Sequence, residues 1–178
     1  MRIGECTRVW RLGAAVMALS CLVVANGAQA ADLLCEEFDV VFLVDTSGSI
    51  QDEGAVLCGN ILQIVADLAA SNYFLEYTIL GIVENPPGSS FACLLDNVPN
   101  MYGTTVPGIP PACCPTLNKN EDWAAATAIV AQNRTWKYGA LRVIIPISDE
   151  GAEDGDPCDD PGLDRASITN AINVAIAN

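Results

Sequence analysis

Apolar residues occur along this chain as short continuous runs and as longer stretches with helical spacing. Residues 38–44 (Phe-Asp-Val-Val-Phe-Leu-Val) and 141–147 (Leu-Arg-Val-Ile-Ile-Pro-Ile) are short runs rich in β-branched and aromatic side chains. Such runs are typical of strands buried on both faces of a parallel sheet. Pro146 lies near the end of the second run and cannot donate a hydrogen bond to a neighbouring strand. Both runs nevertheless predict strands.

Further strands and helices alternate along the rest of the chain. We predict helices at 51–70, 121–133 and 164–177 and strands at 73–83 and 90–98, the second of these antiparallel to the first. A loop rich in Pro and Gly at 99–115 and an acidic loop at 149–160 separate these elements. Apolar strands that alternate with helices predict an α/β fold, a doubly wound, mostly parallel sheet with helices on both faces.

The first 30 residues have the pattern of a secretion signal. Three arginines precede an apolar stretch at 12–25, and Ala28-Gln29-Ala30 matches a signal-peptidase site. The stretch is about 14 residues long and a membrane span needs about 20, so a membrane anchor is the weaker alternative. We therefore expect a secreted or periplasmic protein. Its parts would be a signal peptide at 1–30, a short lead at 31–37 and a domain at 38–178.

The charge of the chain restricts its partners. The net charge is −14, from 8 basic and 22 acidic residues. Removal of residues 1–30 would take away three arginines and one glutamate and leave a net charge of about −16. Such a charge argues against binding to nucleic acid or to anionic membranes, and it suits a protein that binds cations. We expect a monomer whose mature chain does not insert into membranes.

Cysteine and histidine usage narrows the chemistry further. Six cysteines would remain after signal cleavage, and an even number in an exported chain predicts disulfides. These are Cys35, Cys58, Cys93, Cys113, Cys114 and Cys158. Six cysteines allow 15 pairings, among which the sequence does not choose. Because the chain has no histidine, it has neither Ser-His-Asp catalysis nor a His-bound metal.

Three oxygen-bearing side chains follow the first predicted strand at alternate positions. They are Asp45, Ser47 and Ser49, with Gly48 allowing a tight turn between them. One carboxylate and two hydroxyls are hard donors, which suit Mg²⁺, Mn²⁺ or Ca²⁺. Ligands of open α/β sheets bind beyond the carboxyl ends of the strands, where Asp149 also lies and would add a second carboxylate. The alternative is a helix N-cap, which needs fewer oxygen side chains.

Two segments resemble the von Willebrand factor type A family, which includes the integrin inserted domains. Residues 42–50 (Phe-Leu-Val-Asp-Thr-Ser-Gly-Ser-Ile) resemble its first metal-site motif. Residues 144–151 (Ile-Ile-Pro-Ile-Ser-Asp-Glu-Gly) resemble its later strand, which ends in the second metal-site aspartate. The resemblance covers residues 38–178 and implies a bacterial-type secreted member with a metal-ion-dependent adhesion site.

The resemblance also implies how the site works. Ser47 and Ser49 would bind the cation directly, and Asp45 and Asp149 directly or through water. One coordination position would stay open for a carboxylate of a partner protein. The family completes its ligands with a threonine on a middle loop. This chain has none at that spacing, so we predict Asp122 or its neighbour Glu121 there. A third anionic ligand would favour Ca²⁺ and weaken the attraction for a partner's carboxylate.

Other interpretations remain beside this one. The family's sheet usually has six strands, so the resemblance implies that two strands and a helix are missing after residue 178. Either the sequence is a fragment, which we favour, or the domain is a reduced one. A disulfide-stapled structural module without metal is the main alternative. Asp45-Thr46-Ser47-Gly48 also resembles the Asp-Thr-Gly loop of aspartic proteases. That chemistry needs two carboxylates that share a proton, and the chain has one such loop. We therefore expect a binding module and not an enzyme.

Overall fold

Four parallel strands form the centre of the fold in the computed structural model. Their order across the sheet is β3-β2-β1-β4. They are β1 (Glu37–Val44), β2 (Phe74–Gly81), β3 (Asp96–Asn97) and β4 (Leu141–Ile147). The prediction of an α/β fold with a mostly parallel sheet is therefore confirmed, and the arrangement is Rossmann-like.

The structure describes residues 37–71, 73–84, 90–108, 115–152 and 161–178. The predicted signal peptide, most of the 31–37 lead and most of the acidic 149–160 loop lie outside these residues. So do four of the predicted disulfide cysteines, namely Cys35, Cys113, Cys114 and Cys158.

The helices cover both faces of the sheet, as predicted. A short 3-10 turn at Gln51–Glu53 leads into α1 (Gly54–Ala70), which is followed by α2 (Val98–Tyr102), α3 (Trp123–Asn133) and α4 (Pro161–Ala177). Val40, Phe42 and Val44 of β1 pack with Cys58 and Ile61 of α1. Val41 and Leu43, which point to the other face, pack with α3. Residues 51–70 are also long and apolar enough to span a membrane.

β1 is the most deeply buried strand, because β2 and β4 flank it and helices cover its two faces. Every residue from Asp39 to Val44 is buried, and Val41, Leu43 and Val44 have no exposed surface. A continuous apolar run is what such a position requires. β4 lies at the edge of the described sheet, and Leu141 and Ile145 are partly exposed there.

The segment before α2 differs from the prediction. An antiparallel strand was expected at 90–98, but only Asp96–Asn97 is a strand, and it runs parallel to β2. The chain turns before it, because Phe91 O accepts a hydrogen bond from Leu94 N. Cys93 in this turn forms a disulfide with Cys58 of α1. The strand then ends at Asn97, whose side chain caps α2 by accepting from Asn100 N.

Pro146 fits within β4 because of the direction in which its nitrogen points. Ile147 O accepts a hydrogen bond from Asp45 N, at 2.9 Å, and so faces β1. Consecutive residues of a strand direct their backbone groups to opposite sides, so the nitrogen of Pro146 faces away from β1. The proline therefore removes no hydrogen bond between β1 and β4. Its nitrogen faces the open edge of the described sheet, where proline is tolerated.

Candidate metal centre at the carboxyl ends of β1 and β4

The two predicted site segments lie side by side because β1 and β4 are neighbouring parallel strands. Val44 pairs with Ile147 at the ends of the strands. The hydrogen bond from Asp45 N to Ile147 O continues this pairing one residue further. The loops that follow the two strands therefore start at the same edge of the sheet, where open α/β sheets bind their ligands.

Asp45 forms the buried base of the site. Its side chain has no exposed surface. Oδ1 accepts a hydrogen bond from Ser47 N at 2.7 Å, and Oδ2 accepts one from Ser148 Oγ at 2.6 Å. Burial of a carboxylate is costly unless it is hydrogen-bonded, and these two bonds supply that compensation. They also fix the orientation of the carboxylate.

The two serines of the motif connect this base to Asp149. Ser47 Oγ and Ser49 Oγ are 2.8 Å apart, within hydrogen-bonding distance. Ser49 Oγ donates to Asp149 Oδ1 at 3.2 Å, across a sequence separation of 100 residues. Ser47 is buried, whereas Ser49 and Asp149 are exposed. The structure thus brings together Asp45, Ser47, Ser49 and Asp149 in one group that opens to solvent on the Asp149 side.

Asp122 lies at the start of α3 and is almost completely buried, with 1% of its surface exposed. Its Oδ2 accepts a hydrogen bond from Lys119 N at 3.2 Å. The start of α3 is close to the loop after β4, because Trp123 Nε1 donates to Glu150 O at 3.4 Å. The start of α3 therefore contacts the loop after β4 through Trp123, and the role of Asp122 as a metal ligand stays a prediction.

The donor set of this group fits a hard divalent cation. It offers two hydroxyls and two carboxylates, all oxygen ligands of the kind that Mg²⁺ and Ca²⁺ prefer. Within the described part of the chain, no group of three or more His, Cys, Asp or Glu side chains is placed to hold a metal ion. A group of that kind contains no serine, whereas two of the four candidate ligands here, Ser47 and Ser49, are serines. Thr46 Oγ1 is also buried without a hydrogen-bond partner among the described residues, and a bound water or ligand would provide one.

Two features of the site region were not predicted from the sequence. Ser148 was not singled out, although it directly precedes Asp149 and could have been noticed as a third hydroxyl at a strand end. The pairing of Cys58 with Cys93 was one of the 15 that the sequence left open. This disulfide joins α1, which follows the Asp45 motif, to the turn before β3.

Comparisons with protein-family models, with curated proteins and with solved structures found no match for this chain. The resemblance to the von Willebrand factor type A family therefore rests on the motif residues and their spacing.

Proposed function

We propose that this protein is a secreted interaction module of the von Willebrand factor type A kind, which binds one divalent cation at the ends of β1 and β4. Ser47 and Ser49 would bind the cation through their hydroxyls, and Asp45 and Asp149 would balance its charge. The cation would in turn bind a carboxylate of a partner protein. This function is binding and involves no catalysed reaction.

The main support is the line of hydrogen bonds that joins Asp45, Ser47, Ser49 and Asp149. Ser49 and Asp149, which are 100 residues apart in sequence, meet here through their side-chain oxygen atoms. An N-cap explains only the residues near α1, and no side-chain cap hydrogen bond is present at Ile50 or Glu53. Pairing of β1 with β4 brings the Asp149 loop to this edge, and the hydrogen bond from Ser49 Oγ then turns the Asp149 carboxylate toward the two serines, as binding of a shared cation would require.

The difference in exposure among the four site residues supports binding of a partner. The group is closed at Asp45 and open at Ser49 and Asp149, so a bound cation would keep a coordination position toward solvent. The two hydroxyls add no charge, so Asp45 and Asp149 would be the anionic ligands of the protein, and the open position could take a further oxygen ligand such as a partner's carboxylate. If Asp122 also binds, the site gains a third carboxylate and Ca²⁺ becomes the favoured ion.

The proposal is tested by the thermal midpoint of the purified protein in EDTA and then with millimolar Mg²⁺, Mn²⁺ or Ca²⁺. A ligand present at 100 times its Kd stabilises the folded state by about 2.7 kcal/mol, which corresponds to roughly 5–10 °C for a domain of this size. We expect such a rise with at least one of the three ions.

The variant Asp149→Asn should abolish the rise, and Asp67→Asn is its matched control. Both aspartates are exposed and each accepts one side-chain hydrogen bond, from Ser49 and from Gln63 respectively. Asp67 lies near the far end of α1, about 20 Å along the helix from Gly54. An equal rise in wild type and in Asp149→Asn would contradict the site. Absence of a rise in wild type would favour a structural module held by the Cys58–Cys93 disulfide.

A further inference from the structure

Ser148 contacts both halves of the candidate metal centre. It lies between the last residue of β4 and Asp149. Its Oγ donates to Asp45 Oδ2 at 2.6 Å and accepts from Glu150 N at 3.1 Å. One hydroxyl therefore joins the carboxylate that follows β1 to the backbone of the loop that carries Asp149.

The orientation of Asp45 depends on this contact. Its carboxylate is fully buried, and each oxygen accepts one hydrogen bond. Ser47 N is part of the same short loop and moves with Asp45, whereas Ser148 belongs to a different strand. Without the Ser148 bond, the carboxylate would keep only its local partner and could turn away from the position that it holds relative to Asp149.

The loop after β4 depends on the same hydroxyl. The bond from Glu150 N to Ser148 Oγ spans two residues and encloses Asp149. Short side-chain-to-backbone turns of this kind fix the path of a loop. Asp149 directly follows Ser148, which is hydrogen-bonded to Asp45. This bond therefore helps to orient the Asp149 carboxylate, which accepts from Ser49 Oγ.

We infer that Ser148 is a positioning residue of the metal centre, which sets the distance and orientation between Asp45 and Asp149 without itself being a ligand. This inference rests on the proposed function. Residues that orient metal ligands typically change metal affinity by about 10–100-fold when they are replaced. Loss of the Ser148 hydroxyl should therefore weaken cation binding by about 10-fold or more.

The test is calorimetric titration of the purified protein with Mg²⁺ alone and with Ca²⁺ alone, for wild type and for Ser148→Ala. Ser71→Ala is the control, because Ser71 Oγ donates to Asp67 O on the exposed end of α1. Ser148→Thr and Ser148→Val form a second pair with the same shape, of which only the threonine keeps a hydroxyl. Circular dichroism in EDTA reports whether each variant is folded.

We expect a higher Kd for Ser148→Ala and Ser148→Val, and a Kd near that of wild type for Ser148→Thr and Ser71→Ala. Similar affinities of the Thr and Val variants would overturn the inference, since the hydroxyl would then not matter. Unchanged or tighter cation binding by Ser148→Ala would also overturn it. If wild type binds neither Mg²⁺ nor Ca²⁺ and its thermal midpoint does not rise with Mn²⁺, the proposed function fails together with this inference. If wild type binds and the hydroxyl has no effect, only the inference fails.

Discussion

At the scale of single residues, a short salt bridge lies toward the opposite end of β1 from the candidate metal centre. Arg134 Nη2 is 2.6 Å from Asp39 Oδ1; the Asp39 side chain is buried and that of Arg134 is 9% exposed. Arg134 also donates to Thr78 and Tyr102 and lies over the ring of Trp136. Burial alone lowers the pKa of Arg134, but its hydrogen bonds to Asp39 and Tyr102 outweigh this effect, and the pKa is raised. The guanidinium therefore stays charged.

Replacement of Arg134 by alanine should destabilise the protein strongly. It would leave the Asp39 carboxylate buried without its charged partner, which typically costs about 3–5 kcal/mol. Lys137→Ala is the comparison, because the Lys137–Glu37 pair is about 40% exposed on each side and exposed pairs contribute at most about 1 kcal/mol. Urea unfolding of both variants measures the difference. Similar small losses in the two would show that the buried pair adds no more stability than the exposed one.

The residues of the candidate metal centre show how much of its geometry could be predicted from the sequence. Asp45, Ser47 and Ser49 could be predicted because they follow a recognisable strand at alternate positions. Asp149 could be predicted because parallel strands end at the same edge. Ser148 could have been noticed as a hydroxyl at a strand end, but its contact with Asp45 could not be predicted, because that hydrogen bond spans 103 residues. Nothing in local sequence specifies which hydroxyl near a strand end will contact a distant carboxylate.

At the scale of elements, α1 is held to the rest of the domain at one end by close packing. Gly54 begins the helix with ordinary helical dihedral angles. A Cβ atom on it would lie 2.9 Å from Cε1 of Phe91, which is buried. The disulfide between Cys58 and Cys93 lies one turn further along. The N-terminal part of α1 is therefore fixed against the turn before β3.

Two glycines of α1 should respond to alanine in opposite directions. Gly54→Ala should lower the unfolding free energy by about 1–3 kcal/mol, since a methyl group would overpack against Phe91. Gly59→Ala should raise it by about 0.5–1 kcal/mol, because nothing lies within 4 Å of its added Cβ and alanine is the better helix former. Thermal or urea unfolding measures both. A stabilising Gly54→Ala would mean that Phe91 moves aside without cost.

The elements differ in how well their sequence predicts them. β1 and β4 could be located because their apolar runs match the burial that their positions require. The structure of the 90–98 segment could not be predicted in this way. Phe91 and Leu94 are apolar residues of the kind found in strands, but here they close a turn that contains Cys93 of the disulfide. The disulfide is a tertiary contact, and the pattern of apolar and polar positions in residues 90–98 does not indicate it.

At the scale of the whole molecule, the acidic charge is compatible with the proposed cation site. The chain carries 22 acidic and 8 basic residues. The resulting negative potential raises the local concentration of cations. The same potential would repel acidic partners at a distance, so a bound cation would be needed to attract a partner's carboxylate at short range. Binding of a partner should accordingly require the metal.

The position of β4 has a consequence for the exchange of its amide hydrogens with solvent. Val143, Ile145 and Ile147 direct their backbone groups to β1, whereas Arg142 and Ile144 direct theirs to the open edge of the described sheet. Pro146 contributes no amide hydrogen there. We expect deuterium uptake to alternate along this one strand, slow at Val143 and Ile145 and fast at Arg142 and Ile144, when it is followed by NMR. Slow uptake at all four positions would instead reveal that another strand covers this edge in solution.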